Sequence, residues 1–311
     1  MFKKYIIAII ILVSILSCKN TNSKIPIDNL ENNRLEKYNS LFEIKVPPII
    51  KDRDKIEQYI ANNFWNDTIF IDTSMFAISH EKIKKHMYNY FIFLSEINPK
   101  EMKKSIEKYV SKIAICDSIT QNDVINFSIK FLDDPNSPAL NEDIYIVFLN
   151  NLIKSGIESS DVYINYLTRA LKNRPGDVAT NFSFISNRGK ESTLHSINAD
   201  YIILLFYDPE CRSCVEYFNL VDKLTESITK VKLTKLAIYT GENAELWLEE
   251  SFNKKPDWIC GFNNDYSITT NKLYDRRATP SVYILDRSKR VLMKDVSPVK
   301  FKTFIQSIST Q

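Results

Sequence analysis

Tyr201-Ile202-Ile203-Leu204-Leu205-Phe206-Tyr207-Asp208-Pro209-Glu210-Cys211-Arg212-Ser213-Cys214 decides the fold. The unbroken apolar run, ended by Asp-Pro, reads as a strand buried on both faces. Apolar residues at helical spacing follow it, so the two thiols stand where a strand gives way to a helix. Thiols at i and i+3 on a first helical turn can close a small ring. The first of them faces unpaired backbone N–H groups and the positive end of the helix dipole, which lowers a thiol pKa and makes a nucleophile.

Upstream, the apolar residues of 52–172 recur at helical spacing, as in Met102, Ile106, Tyr109, Val110 and Ile113. The turn Asp133-Asp134-Pro135-Asn136-Ser137-Pro138 interrupts them, a helix over 141–154 follows, and another runs from 160 to the stop at Asn173-Arg174-Pro175-Gly176. After Gly176 the period changes. A hairpin turn at Ser186-Asn187-Arg188-Gly189 precedes strand 201–207, helix 211–228, strand 233–239, helix 243–252 and a short strand at 258–261. A short helix ending near Tyr274, strands at 282–286 and 291–294, and a final helix carrying Phe301, Phe304, Ile305 and Ile308 complete the chain. The order predicts a central mixed sheet flanked by helices, preceded by an all-α domain.

The N-terminus carries Lys3-Lys4, an apolar stretch over 5–16, and Ile15-Leu16-Ser17-Cys18. The stretch is short for a membrane span and fits an export signal. Ser17-Cys18 with polar Lys19-Asn20 resembles the lipobox of bacterial lipoproteins, although Leu16 stands where a smaller residue is commoner. That resemblance implies a lipid on Cys18 and anchorage in the cell envelope, facing the periplasm from the outer membrane. An ordinary signal peptide or a buried N-terminal helix is the alternative. The expected organisation is a signal peptide over 1–17, a polar tether over 18–45, a helical domain over 46–175 and an α/β domain over 176–311.

The 311 residues are 44% apolar and carry a net charge of +3 spread without a basic stripe, which gives no case for nucleic-acid binding. Five cysteines sort into Cys18, the Cys211/Cys214 pair, and two remainders. Cys116, in Ile113-Ala114-Ile115-Cys116, reads as a buried inert thiol, and Cys260 as a core residue or a further resolving thiol. His195 reads as a surface or loop residue. His86 and the run Lys82-Lys84-Lys85 read as part of a solvated helix face, and His80 likewise.

Three stretches together resemble the thioredoxin-like superfamily: Phe206 through Cys214, Leu273-Tyr274-Asp275-Arg276-Arg277-Ala278-Thr279-Pro280-Ser281, and Tyr283-Ile284-Leu285-Asp286. Extracytoplasmic thiol-disulfide oxidoreductases of TlpA/ResA type are the nearest match, within lipoproteins that join a helical N-terminal domain to such a module. Asp133 through Tyr145 looks like the signature of that helical domain. The resemblance implies Cys211 as the attacking thiol, Cys214 as the resolving thiol, and a cis bond at Thr279-Pro280 that points backbone toward an extended substrate. Electrostatically, Arg212 beside Cys211 is expected to favour the thiolate and Glu210 on its other side to oppose it. The redox-active disulfide would be the only cofactor, with no metal, and the partners would be protein thiols or disulfides and a redox partner protein.

Glu210 and Arg212-Ser213 depart from the thioredoxin pattern, and Leu205 stands where thioredoxin has a buried Asp. Glu216 or another carboxylate is the candidate replacement acid. Other readings remain open. A Cys-x-x-Cys pair also serves as half of a zinc site or as a staple, but no second close pair of ligands exists. A peroxidase of peroxiredoxin type lacks its Pro-x-x-x-Thr-x-x-Cys environment. A redox-inert scaffold whose helical domain binds a partner, with Tyr88, Tyr90, Phe91 and Phe93 as the candidate pocket lining, is the main alternative function.

Overall fold

Side-chain caps set where the first helices begin. Asp52, Asn98, Asp117 and Asn141 each accept a backbone N–H of the turn that follows, which satisfies donors that a helix start leaves orphaned. They open α1 (Arg53–Asn63), α3 (Pro99–Ala114), α4 (Ser118–Asp133) and α5 (Glu142–Ser155), which with α2 (His80–Glu96) and α6 (Ser160–Ala170) make up the helical half. Gly156 ends α5 in the left-handed region at φ +70°, where a side chain is disfavoured. The computed structural model describes residues 43–65, 80–157, 160–254 and 257–309. The expected signal peptide, Cys18 and nearly all of the expected tether lie outside the described residues.

Tyr90, Phe91, Tyr109 and Phe148 form the aromatic centre of the helical half. The buried hydroxyls of Tyr90 and Tyr109 are each hydrogen-bonded at 2.9 Å, to Ser105 and Ser128, as buried polar groups must be. His86 corrects the expected solvated face. It is buried, 3.1 Å from the Phe64 carbonyl, with its ring tilted against Phe64 and edge-on to Trp65. The reason is its spacing: Ile83, His86, Met87 and Tyr90 share one face of α2, and all four are buried. Lys82 and Lys85 are exposed on the other side.

After Gly176 the chain builds a seven-stranded mixed sheet from β1 (Ser183–Ser186), β2 (Glu191–Thr193), β3 (Tyr201–Tyr207), β4 (Leu233–Tyr239), β5 (Trp258–Phe262), β6 (Ser281–Asp286) and β7 (Val291–Lys294), in the order β2-β1-β5-β4-β3-β6-β7. Strands β3, β4 and β5 run parallel, while β6 and β7 continue the sheet antiparallel beyond β3. Because successive side chains in a strand face opposite ways, the apolar run of β3 feeds two layers. Ile203, Leu205 and Tyr207 join Cys214, Phe218, Trp247 and Phe301. These last four come from α7 (Arg212–Thr225), α8 (Ala244–Lys254) and α10 (Pro298–Ser309). Ile202, Leu204 and Phe206 join Phe184, Tyr274, Tyr283 and Ile268 of the short α9 (Ser267–Thr270). The architecture is thus a mixed sheet between helical layers, preceded by an all-α bundle.

Residues Val46–Gln311 form one compact unit. The connection past α6 is laced to the far edge of the sheet: Gly176 N–H donates to Val291 O at 2.8 Å and Ala179 N–H to Lys289 O at 2.8 Å. Buried Lys294 donates to Ala170 O and Lys172 O, each at 3.1 Å, and to Glu142. All the protons of an ammonium are thereby used.

Candidate active site

The Asp208-Pro209-Glu210 turn carries the chain from the C-terminal end of β3 into α7. Cys211 N–H donates to Asp208 O at 3.1 Å, and Glu210 N–H to Asp208 Oδ1 at 3.0 Å. Cys211 is the N-cap residue of α7, and its Sγ accepts the N–H of Cys214 at 3.1 Å. It is bonded to Cys214 across a Cα–Cα distance of 5.3 Å. The two sulfurs differ in access. Cys211 is partly exposed, whereas Cys214 is 1% exposed in the layer formed by Leu205, Tyr217 and Phe218. An incoming thiolate therefore meets Cys211, and the helix start beneath it supplies N–H donors to a negative sulfur.

The loop before β6 forms the other wall. Its Thr279–Pro280 bond is cis. The Thr279 carbonyl accepts a hydrogen bond from Ser213 Oγ at 2.9 Å and lies 3.6 Å from Cys211 Sγ. Ser213 Oγ is also 3.1 Å from Cys211 Sγ, so this hydroxyl sits between the sulfur and the loop. Thr279 is exposed, which leaves its edge open to an extended chain.

The flanking charges stand away from the sulfurs. Glu210 is exposed, and Arg212 is 93% exposed with its Nε 3.3 Å from Glu216 Oε1. Glu216 is itself 68% exposed. It occupies the helix surface rather than the buried position that Leu205 fills. Cys260 lies in β5, buried in the layer that holds Cys214, and neither it nor Cys116 is disulfide-bonded. Burial, then the nearby Asp117, pushes the Cys116 thiol up to about 11, away from a neutral-pH nucleophile. His195 sits in a 3-10 turn with Nε2 2.7 Å from Ala179 O. Among the described residues no group of His, Cys, Asp or Glu is arranged to hold a metal ion.

Two features of this neighbourhood lie outside the sequence reading. Ser213 had no partner legible in the sequence, since Thr279 is remote from it along the chain. Arg277, in the same loop as Thr279, donates from Nε to Asp275 Oδ1 at 3.0 Å, from Nη1 to Asp133 O at 2.6 Å and to Asp133 Oδ1, and from Nη2 to Asp295 Oδ2 at 3.1 Å. Burial alone would lower its pKa, but the carboxylates of Asp275, Asp133 and Asp295 outweigh that and raise it. Arg277 is a fixed cation.

A parallel sheet core ending in a Cys-x-x-Cys helix start, faced by a cis-proline loop, defines a thioredoxin-like fold. Comparison with known proteins agrees. The chain is similar to a thioredoxin-like protein from Bacteroides caccae ATCC 43185, 26% identical in a match covering 85% of this chain and 97% of that one, with a TM-score of 0.77. That coverage takes in both the helical half and the sheet half. A conserved protein of unknown function from Bacteroides fragilis is 34% identical over 42% of this chain and 98% of its own, with a TM-score of 0.39. The C-terminal domain of an uncharacterized protein from Bacteroides fragilis NCTC 9343 is 31% identical over 43% and 98%, with a TM-score of 0.39. Residues 17–166 match a domain of unknown function, DUF5106. No curated protein matches the chain.

Proposed function

We propose that this protein is a thiol-disulfide oxidoreductase that exchanges disulfides with protein substrates outside the cytoplasm. The observation that carries the reading is the asymmetry of the disulfide: an accessible Cys211 capping a helix, bonded to a buried Cys214, beside the exposed Thr279 backbone. When the protein acts as a reductant, the Cys211 thiolate attacks one sulfur of a client disulfide. The client S–S bond breaks, one client thiolate leaves, and a mixed disulfide forms. Cys214, as a thiolate, then attacks Cys211 Sγ. The Cys211–Cys214 bond re-forms, the second client thiolate leaves, and the client has gained two electrons. A dithiol partner protein restores the pair, and the reverse sequence oxidises a client.

Leu205 leaves the Cys214 layer apolar, and an apolar surround penalises a thiolate. Glu210 and Arg212 tune Cys211 weakly, because each is solvated. The sequence of residues 1–20 supports export and a lipid on Cys18, and on this reading the module is anchored in the cell envelope and faces the periplasm. An oxidising compartment suits a pair that cycles through a disulfide.

The mature chain should reduce the interchain disulfides of insulin in the presence of dithiothreitol, and Cys211→Ser should abolish this. Catalysis retained without Cys211 would refute the reading. Binding of a partner retained after loss of both cysteines, with no catalysis by the wild type, would favour the scaffold instead.

A further inference from the structure

Arg277 ties the loop that walls the disulfide to the helical half two residues before Thr279, beyond the ties that Lys172 and Asn173 make to Lys272 O and Leu273 O at the start of the loop. Asp133 is the last residue of α4, so its carbonyl is one of the acceptors that a helix end leaves unpaired, at the negative end of the dipole. Arg277 meets that carbonyl and the same residue's carboxylate with Nη1, while Nε and Nη2 hold Asp275 and Asp295 of the sheet half. The Arg277, Asp133 and Asp275 side chains are 16%, 14% and 0% exposed. Arg169 of α6 binds the second Asp133 oxygen and fixes the carboxylate from behind. Two residues beyond Arg277 is Thr279, whose carbonyl takes the Ser213 hydroxyl and lies 3.6 Å from Cys211 Sγ.

We infer that Asp133 and Arg277 are a positioning pair through which the helical half sets the Thr279 loop against the Cys211–Cys214 disulfide, and so governs exchange with protein substrates. The inference rests on the exchange chemistry proposed above. A buried ion pair is a poor source of net stability, because desolvating both charges offsets their attraction. What the planar guanidinium supplies is direction: it reaches four acceptor groups on three residues in fixed geometry, which a lysine ammonium on a flexible stem cannot reproduce. Small misplacement of a substrate-positioning element can cost up to about a hundredfold in rate. A protein client must lie along Thr279, whereas a small disulfide needs only Cys211.

The test compares wild type, Arg277→Lys, Asp133→Asn and the apolar double variant Asp133→Leu/Arg277→Met in the full mature chain. Two substrates are used: insulin, and a small aromatic disulfide. The expected result is a fall of about tenfold or more in kcat/KM for insulin, against less than about threefold for the small disulfide. Asp133→Asn keeps the carbonyl acceptor and nearly the same shape, and the double variant removes both members of the pair together, leaving buried Asp275 to Arg169 and Lys294 at 3.9 Å. One of these therefore reports even if Arg277→Lys fails to fold. Folded variants with wild-type kcat/KM for insulin overturn the inference, as does an equal loss on both substrates. A wild type inactive on both substrates overturns the exchange reading itself.

Discussion

Replacing Ser213 by Ala removes the hydroxyl placed between Cys211 Sγ and the loop. In the disulfide form Ser213 Oγ donates to the Thr279 carbonyl at 2.9 Å while lying 3.1 Å from Cys211 Sγ. Its single proton serves one acceptor at a time. Once Cys211 becomes a thiolate, the charged sulfur is the stronger acceptor, and the hydroxyl turns to it. A hydrogen bond to a charged group contributes about 1.5–3 kcal/mol and one to a neutral carbonyl about 0.5–1.5 kcal/mol. The exchange therefore favours the thiolate by roughly 1 kcal/mol, taken at the low end because Ser213 is exposed to solvent. The Cys214 N–H, 3.1 Å from the sulfur, remains in the variant and provides the baseline.

Ser213→Ala should therefore raise the Cys211 pKa by about 0.7 unit, and should lower the midpoint potential by about 20 mV at a pH where Cys211 is ionised. Thiolate absorbance during a pH titration reads the first quantity, and equilibration with glutathione buffers reads the second. Ser213→Thr, which keeps a hydroxyl, should stay near wild type. An unchanged or lowered Cys211 pKa in the alanine variant refutes the reasoning, because it would mean that the hydroxyl stays on Thr279.

Two further outcomes follow from the core. Burial lowers the His86 pKa from 6.5 to about 4, against the opposing hydrogen bond to Phe64 O; a depressed pKa gives stability that is present above pH 6.5 and lost as pH falls through 4. Urea unfolding should lose about 3 kcal/mol across that window from this group, and His86→Gln should flatten the slope; equal slopes would contradict it. A Cβ at Gly261 would meet Phe184 Cδ2 at 2.5 Å and Ile238 Cδ1 at 2.7 Å. Gly261→Ala should destabilise by about 1–3 kcal/mol in thermal unfolding, and a neutral result would show that these two side chains can move aside.

Residues with a local signature were legible in the sequence. The apolar run Tyr201–Tyr207 could only be a strand buried on both faces, and it became the strand between β4 and β6. The Cys-x-x-Cys helix was placed within one residue at its start, since Cys211 caps the helix that Arg212 begins. Its end fell earlier than expected, at Thr225 rather than near residue 228. What the sequence could not show depends on remote partners. Nothing near Arg277 indicates that Asp133, remote along the chain, will take its guanidinium. His86 sits among lysines and looks solvated, yet Phe64 and Trp65 from another helix's end cover it. The Leu205 position was read directly, and the structure shows its consequence as an apolar layer around Cys214.

The most direct test of the exchange chemistry is the redox equilibrium of Cys211 and Cys214 in glutathione buffers of graded poise, followed by thiol trapping. A single two-electron transition that disappears in Cys211→Ser is the expected result. A midpoint near about −270 mV would mark a reductant, and one near about −120 mV an oxidant. If the two cysteines stay as dithiol, or stay as disulfide, at every poise, the proposed function is contradicted.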